Sequence, residues 1–399
     1  MNAATTKTYT AIGLISGTSA DGIDAALIRI ASGSPPKVEV LKSHSFHYPA
    51  GLRNRVLAAA GEPGVPTPEI CSLHQEIGEE FACAAMSLLE TLNMEPNSVD
   101  FIGSHGQTVC HLPEKGKDPK NPLAPSTLQI GDPAVIAERT GCTVISDFRA
   151  RDVAAGGMGA PLTPWAHRIL FGQSNRPVGF LNLGGISNLT YIPQNGKKGL
   201  FGFDAGPANM TLDALAKKFS GGKKDFDKEG ATAARGRVRG EALAHLTRHP
   251  YLDAPVPKST GRETFGESFL AWAVELPGLR GARPEDQLAT MCEFSAECIV
   301  RSLREIFPAN APPAKIIAGG GGVHNKTLMT RLKVGLAPIP LVSSKEEGIS
   351  PDEVEAVSFA LLAWSTIRGE PANVPEATGA KRRVVLGNIT PGRNYLSIL

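Results

Sequence analysis

Two segments of the chain place glycines and hydroxyl side chains between short apolar runs, and the first also carries a carboxylate, a combination suited to binding phosphate. Glycines let backbone N–H groups approach an anion closely, hydroxyls add donors, and a carboxylate holds magnesium directly or through water. In the first segment, apolar runs at 12–15 and 23–30 flank an Asp-Gly turn signal, which predicts a β-hairpin with Asp21 as the candidate magnesium ligand. The candidate phosphate-binding residues are Gly17, Thr18, Ser19, Ala20, Asp21, Gly22, Ile23 and Asp24.

The second segment repeats this design near the middle of the chain. Apolar runs at 178–183 and 189–192 enclose Gly184, Gly185 and Asn188, which predicts another hairpin with a glycine tip. Two such hairpins suggest two similar lobes, each offering a loop to one polyphosphate. Two ordinary surface hairpins are the alternative.

Four consecutive glycines, 319–322, follow an apolar strand and precede a helix-like segment. They allow a flat ring or a sugar-phosphate to lie against the backbone at a helix N-terminus. Gly320, Gly321, Gly322 and Asn325 are therefore predicted to line an adenosine pocket. A flexible linker is the alternative.

Phosphoryl transfer to a hydroxyl also needs a carboxylate that activates the nucleophile. Asp204 is the best candidate, because it ends an apolar stretch just before a predicted helix start. The same position suits a helix cap or a turn.

Further polar residues are candidates for the substrate side. His105 follows an apolar strand and is interpreted as a substrate contact or a satisfied structural group. Arg149 and Arg151 suit a carboxylate-bearing ligand, or surface ion pairs with the neighbouring Asp147 and Asp152. The polar segment 258–263 is interpreted as a loop closing over substrate or as a helix cap.

The elements that would position these residues fall into two lobes. We predict an N-terminal lobe at 1–150 with 380–399, and a C-terminal lobe at 151–379 that carries the second hairpin, Asp204 and the adenosine motif. The glycine-rich stretch after residue 153 is predicted to cross between them. Late in the chain Ser350 is predicted to cap a helix that carries Glu355.

Composition fits a two-lobed protein with a small-molecule partner. Basic residues number 41 and acidic residues 39, so the formal charge of +2 indicates neither nucleic-acid nor membrane binding. The 43 glycines are about 11% of the chain, against a usual share of about 7%. No secretory signal or spanning segment is recognised, which predicts a cytoplasmic protein. The six cysteines are interpreted as reduced and mostly buried.

In order along the chain stand SGTSADGID, SHGQTVCH, TLQIGD, NLGGISNL, GFDAGPAN, KSTGRE, AGGGGVHN and ISPDEVEA. With this ordered set the sequence resembles the anhydro-N-acetylmuramic acid kinases over nearly its whole length. The resemblance implies an α/β, two-lobed ribonuclease-H-like fold of the actin/sugar-kinase/Hsp70 type with a central nucleotide cleft. It also implies ATP and Mg²⁺ as cofactors and a homodimer.

The resemblance further implies a reaction and residue roles. The family opens the 1,6-anhydro ring of 1,6-anhydro-N-acetylmuramic acid and phosphorylates O6 with ATP, giving N-acetylmuramic acid 6-phosphate and ADP. Asp204 matches the base that activates water, and the segment 17–24 matches the one that binds ATP phosphates. His105, Gln107, Arg149 and Glu355 are placed on the substrate side. Here Ala205 and Ala208 stand within the family's DTGPGN pattern, and Met158 stands where GGQGAPL has glutamine.

Two other functions are compatible with these residues. One is a kinase of another anhydro-sugar, such as levoglucosan, which lacks the lactyl carboxylate that an arginine would bind. The other is a non-catalytic nucleotide or sugar sensor on the same fold. The presence of Asp21, Asp204 and Glu355 favours an enzyme.

Overall fold

The computed structural model of the protein describes residues 7–17, 19–61, 64–113, 123–196 and 198–398. The chain divides into unit 1, Met1–Leu170 with Glu353–Leu399, and unit 2, Phe171–Asp352. The two hairpin tips that are predicted to bind phosphate lie in separate units. The boundaries differ from the predicted 1–150 with 380–399 and 151–379.

The strands lie in two sheets. They are β1 Thr8–Ser16, β2 Gly22–Ala31, β3 Lys37–His47, β4 Phe101–Leu112, β5 Ser126–Ile130, β6 Thr143–Ser146, β7 Val178–Leu183, β8 Ile186–Ile192, β9 Phe201–Pro207, β10 Ile316–Gly319, β11 Leu341–Ser343 and β12 Asn388–Thr390.

The α-helices lie between and after the strands. They are α1 Ala50–Gly61, α2 Thr67–Glu90, α3 Pro133–Thr140, α4 Phe148–Ala154, α5 Pro164–Phe171, α6 Asn209–Phe219, α7 Ala231–Ala234, α8 Gly240–Leu246, α9 Arg262–Phe265, α10 Glu267–Val274, α11 Pro284–Ile306, α12 Lys326–Leu336, α13 Val354–Ile367, α14 Pro375–Thr378 and α15 Tyr395–Ile398. Short 3₁₀ turns include Pro250–Asp253 and Gly321–His324.

Both sheets are built on one strand order. In unit 1 the path is β12-β6-β4-β1-β2-β3, with β5 paired to β4, and in unit 2 it is β11-β10-β7-β8-β9. Each begins with a three-stranded antiparallel meander, β1-β2-β3 or β7-β8-β9, and adds parallel strands beside its first strand. This repeated order is the ribonuclease-H-like arrangement, so the predicted α/β fold class is confirmed, as are both hairpins.

Helix α13 explains why residues 353–379 belong to unit 1 and not to the predicted C-terminal lobe. It packs on β1 and β4 of unit 1. A Cβ at Gly13 would lie 1.9 Å from Ala356 O, and one at Gly103 would lie 2.4 Å from Phe359 O. Only glycine at these positions lets the helix backbone touch the sheet. The helix begins at Val354 without a side-chain cap, so the predicted Ser350 cap is wrong.

The glycine-rich stretch after residue 153 is also internal to unit 1, and so it is not the predicted crossing between lobes. The buried Asp152 carboxylate accepts from Gly159 N at 2.9 Å, and from Asn373 Nδ2 and Thr378 Oγ1 at 2.9 Å each. These bonds tie the stretch to the C-terminal part of the same unit.

Candidate active site

Asp204 lies inside strand β9 of unit 2, three residues before the strand ends, and not at its end as predicted. Its side chain is held by three donors. Oδ1 accepts from Asn188 Nδ2 at 2.9 Å, and Oδ2 accepts from Ser259 Oγ at 2.7 Å and from Thr260 N at 2.9 Å. The residue is 8% exposed. A carboxylate that accepts on both oxygens matches an ionised, oriented base.

The alternative capping role for Asp204 is excluded. Helix α6 has Ala208 as its N-cap residue, without a side-chain cap. The N–H groups of Ala208 and Met210 donate to Gly185 O, and that of Asn209 donates to Gly184 O, each at 3.0 Å. The start of α6 is therefore satisfied by the second hairpin tip.

Asn188 was predicted to contact the cofactor, and the structure places it opposite Asp204 in the β8–β9 pairing. Its amide nitrogen donates to the Asp204 carboxylate, whereas its Oδ1 is buried and has no hydrogen-bond partner among the described residues. The amide therefore orients Asp204 and retains one unused acceptor. A direct cofactor contact stays a prediction.

The segment 258–260 contributes to the site in a way that the sequence analysis did not anticipate. Lys258 O accepts from Asp204 N at 3.1 Å, in addition to the Ser259 and Thr260 contacts. The Lys258 side chain is buried, and its Nζ donates to Leu252 O at 3.3 Å. Burial lowers the pKa of Lys258. The segment is thus a support for Asp204, and its polar composition was the available signal.

Tyr251 is a second support for Asp204 that was missed. Its hydroxyl donates to Asp204 O at 2.7 Å. Burial, and then the charge of Asp204, raise the pKa of Tyr251, so the hydroxyl stays protonated and keeps donating. The two residues are 47 apart in the chain. No local pattern reveals such a contact.

The glycines of the predicted nucleotide loops in unit 2 fall into two groups. A Cβ at Gly320 would lie 2.5 Å from Asn182 Oδ1, and one at Gly322 would lie 2.6 Å from Leu183 Cβ, so internal packing requires both glycines. At Gly184 and Gly185 the nearest atoms to a Cβ lie at 3.4 and 3.5 Å, and at Gly321 nothing lies within 4 Å. Packing does not require these three, so they leave room for an external group.

These packing contacts bring the second hairpin tip and the 320–322 segment together at one end of the unit 2 sheet. Asn325 caps helix α12, because its side chain accepts from Leu328 N. The segment is thus an ordered strand-to-helix connection, which excludes the flexible-linker alternative. Occupation by adenosine stays a prediction.

The tip of the first hairpin is fixed from two sides in unit 1. Gln107 Oε1 accepts from Ser16 Oγ at 2.6 Å, and its Nε2 donates to Gly17 O at 3.2 Å. From helix α1, Arg53 donates to Asp21 Oδ1 at 2.7 Å and to Ser19 O at 3.4 Å. Gln107 therefore supports the first hairpin tip, and its predicted substrate contact stays a prediction.

The remaining tip residues are divided between packing and exposure. Gly22 is required by packing, because its Cβ would lie 2.0 Å from Phe46 O, whereas Gly17 is open. Ala20 has a left-handed φ of 50° and is buried with Ile23, and Asp24 accepts from Ser45 Oγ. Thr18 lies outside the described residues. Among the described residues, no cluster of three or more His, Cys, Asp or Glu is arranged to hold a metal.

His105 and Arg149 are hydrogen-bonded to each other in unit 1. The Arg149 Nε–H donates to His105 Nε2 at 2.9 Å, and Arg149 Nη1 donates to Gly159 O at 2.7 Å. His105 Nδ1 lies 2.9 Å from Gly106 O and therefore carries the proton. Burial, and then the charge of Arg149, hold the pKa of His105 well below 6.5. The histidine thus orients Arg149, and its substrate contact stays a prediction.

Surface ion pairs do not account for the two acids near Arg149. Asp152 is fully buried and accepts from neutral donors, while Asp147 accepts from Asn388 Nδ2 at 3.0 Å. Burial raises the pKa of Asp147. Arg151 lies on the exposed side of α4.

Glu355 lies in the first turn of α13 and is half-buried. Phe359, one turn further on the same side of the helix, packs against the His105 ring with centroids 4.6 Å apart. Glu355 therefore lies on the helix side that faces His105.

The cysteines are partly as predicted. All six are free thiols, but Cys71, Cys83 and Cys110 are exposed and only three are buried, so "mostly buried" was wrong. In the described part of the chain, no helix is long and apolar enough to cross a membrane.

Comparison with known proteins covers almost the whole chain. The family profile described as "Anhydro-N-acetylmuramic acid kinase" matches residues 9–392. This chain belongs to the anhydro-N-acetylmuramic acid kinase family. The resemblance seen in the ordered motifs is thereby confirmed.

Relatives in this kinase family match along nearly their full length. The anhydro-N-acetylmuramic acid kinase of Caldanaerobacter subterraneus subsp. tengcongensis is 40% identical over 95% of this chain and 96% of its own. That of Gloeobacter violaceus is 42% identical over 96% and 98%. Among solved structures, component A of Acidaminococcus fermentans (R)-2-hydroxyglutaryl-CoA dehydratase is 11% identical with a TM-score of 0.44, covering 88% of this chain and 96% of its own.

Proposed function

We propose that the protein is an ATP-dependent kinase of 1,6-anhydro-N-acetylmuramic acid in the recycling of cell-wall fragments. It opens the 1,6-anhydro ring and phosphorylates O6, and the products are N-acetylmuramic acid 6-phosphate and ADP. The observation that carries this proposal is the Asp204 carboxylate, buried and held by three donors beside a glycine hairpin, in a chain of this family.

In the proposed reaction Asp204 accepts a proton from water as the water oxygen bonds to C1 of the sugar. The C1–O6 bond breaks, O6 attacks the γ-phosphorus, and ADP leaves. The fixed orientation of Asp204 suits this step, because a base held by its neighbours need not reorganise when the proton is transferred. Asn188, Ser259 and Thr260 are positioning residues.

The remaining predicted residues take binding roles in this proposal. The open glycines 17, 184, 185 and 321 admit phosphate or nucleoside, and Asn325 lies at the start of the helix beyond them. Arg149, oriented by His105, is the partner of the lactyl carboxylate. Glu355 contacts the anhydro ring.

Magnesium fits the first hairpin through Asp21. In phosphate-transferring enzymes Mg²⁺ takes one or two protein carboxylates and completes its shell with phosphate oxygens and water. The Asp21 side chain is 60% exposed, and its Oδ1 accepts a hydrogen bond from the Arg53 guanidinium. When bound there, the ion neutralises the charge of the phosphates during transfer. Arg53 holds the carboxylate at the tip.

The direct test is Asp204→Asn. We expect turnover to fall at least ~100-fold, because the base is lost, while ATP binding by calorimetry is retained. The change is structurally mild, since the Asn188 amide can rotate and offer its unused Oδ1 to the new NH₂ group. The matched control is Asp225→Asn on an acid that is 75% exposed. Unchanged turnover in Asp204→Asn refutes the assigned base.

Substrate identity is tested by ADP release with each sugar separately. We expect turnover with 1,6-anhydro-N-acetylmuramic acid, and a product heavier than the sugar by one water and one phosphoryl group. Turnover on levoglucosan alone would overturn the proposed substrate and retain the kinase. Homodimer formation stays a prediction, which sedimentation equilibrium checks.

A further inference from the structure

A groove in unit 2 lies outside the predicted site. Its cavity volume is about 480 Å³, within the range of small-molecule sites. Helices α8, α9 and α10 and the 3₁₀ turn at 250–253 supply its walls. The lining residues are His245, Arg248, His249, Pro250, Thr264, Ser268, Phe269 and Trp272.

Trp272 gives the groove an exposed aromatic face. Its exposed fraction is 45%, whereas the other tryptophans, Trp165 and Trp364, are 3% exposed. Phe269 lies behind it with ring centroids 5.6 Å apart, and Phe269 packs in turn on the buried Phe294 at 5.9 Å. A buried aromatic layer therefore holds an indole ring toward solvent. Such a ring offers a broad apolar surface to one face of a sugar or another flat ligand.

Positive charge and hydroxyl groups surround this ring. Arg248 is exposed, and no carboxylate of the described residues lies within 4 Å of its guanidinium. The lining contains Arg248 and His245 but no aspartate or glutamate. The hydroxyl of the lining residue Thr264 donates to Glu263 Oε1 at 3.5 Å, and Glu263 itself does not line the groove. A guanidinium without a carboxylate partner among the described residues, in a lining that contains no acid, favours an anion.

The groove shares its walls with the supports of Asp204. Pro250 precedes Tyr251, whose hydroxyl donates to Asp204 O. His249 accepts from Tyr251 N at 3.3 Å, and the Phe265 ring packs on both, with centroids 5.0 and 5.6 Å away. On the other wall, Thr264 belongs to α9, which begins two residues after Thr260. A ligand that moves these walls also moves the groups that hold Asp204.

We propose that this groove binds an anionic pyranose, with the sugar ring on Trp272 and its carboxylate or phosphate on Arg248. We further propose that occupancy changes turnover at Asp204, a part that rests on the proposed function. The binding part does not depend on the catalytic activity of the chain.

The binding experiment is a fluorescence titration of the full chain with three sugars. N-acetylmuramic acid carries a carboxylate, N-acetylglucosamine 6-phosphate carries a phosphate, and N-acetylglucosamine is neutral. Because Trp272 is the one exposed tryptophan of the three, ligand stacking changes its emission saturably. We expect the anionic sugars to bind at least ~10-fold more tightly than the neutral one, and their order identifies the preferred anion.

Variants assign the binding to the groove. Arg248→Gln is expected to weaken anionic-sugar binding roughly 10-fold, while Arg280→Gln, an exposed arginine paired with Glu275, leaves it unchanged. Asp204→Asn is expected to retain binding at the groove. Equal affinity for charged and neutral sugars, or for Arg248→Gln and the intact chain, overturns the proposal. The proposal is also overturned if Trp272→Ala changes the molecular mass measured by sedimentation, relative to the intact chain, while no sugar changes the fluorescence of the intact chain.

The regulatory part is tested by adding N-acetylglucosamine 6-phosphate to the kinase assay. We expect kcat to change in the intact chain and in Arg280→Gln but not in Arg248→Gln. Binding without any change in kcat overturns the regulatory part alone. If no sugar is phosphorylated, the proposed function fails, and the titrations still decide whether the groove binds sugars.

Discussion

At the scale of single residues, the structure shows which candidate side chains hold other candidate residues in place. Asp204 accepts hydrogen bonds on both of its carboxylate oxygens. Asn188 donates to Asp204, and Gln107 bonds to the first hairpin, while the ligand contacts predicted for both stay predictions. His105 acts on Arg149 in the same way. The types of these residues therefore indicated where the candidate site lies. Which residue supports which other one depends on contacts between residues that are distant in sequence.

Ser259→Ala tests the positioning of Asp204. The change removes one of the two donors to Oδ2 and leaves Thr260 N in place. We expect kcat to fall roughly 10-fold with little change in the KM for ATP, and the free energy of unfolding to fall by only about 1 kcal/mol. Ser259→Thr keeps the hydroxyl and should restore most of kcat. Equal kcat in the alanine and threonine variants would show that the hydroxyl has no positioning role.

At the scale of elements, hairpins were predictable and long-range supports were not. Apolar runs around Asp-Gly and Gly-Gly gave both hairpins, because turn type and strand pairing are set locally. The segment 258–260 contacts Asp204 across more than 50 residues, and α13 contacts β1 across more than 300. Burial in three dimensions decides such contacts. That is why the domain boundaries and the role of the segment 258–260 escaped prediction.

The glycine-rich segment after β10 gives a matched pair of variants. In Gly322→Ala the new Cβ would lie 2.6 Å from Leu183 Cβ and 3.0 Å from Leu183 O, so the second hairpin must shift. We expect the free energy of unfolding to fall by about 1–3 kcal/mol in urea titrations. Gly321→Ala, with nothing within 4 Å, should retain stability and weaken ATP binding. Equal losses of stability in both variants would contradict this division of the glycines.

At the scale of the whole molecule, one strand order occurs in both units. The first tip follows the first strand of unit 1 and the second tip follows the first strand of unit 2, so each tip lies at an equivalent position in its sheet. The two hairpin tips account for only part of the high glycine content of the chain. Gly13 and Gly103, for example, are required by the packing of α13 on the unit 1 sheet.

The molecule also carries buried neutral histidines, which makes its stability depend on pH. Burial lowers the pKa of His167 from 6.5 to about 3. Because the unfolded chain then binds the extra proton, this contribution to stability is complete above pH 6.5 and is lost as pH falls toward 3. At pH 5 the loss is about 2 kcal/mol for this one group. We measure the free energy of unfolding by urea titration at pH 7.5 and at pH 5.0. The drop between the two pH values is expected to be about 2 kcal/mol smaller in His167→Gln than in the intact chain. The exposed His47→Gln serves as the control and should keep the full difference, since His47 lies at the solvent-facing end of β3. If His167→Gln also keeps the full difference, burial of a neutral imidazole at this position is not the source of the acid sensitivity.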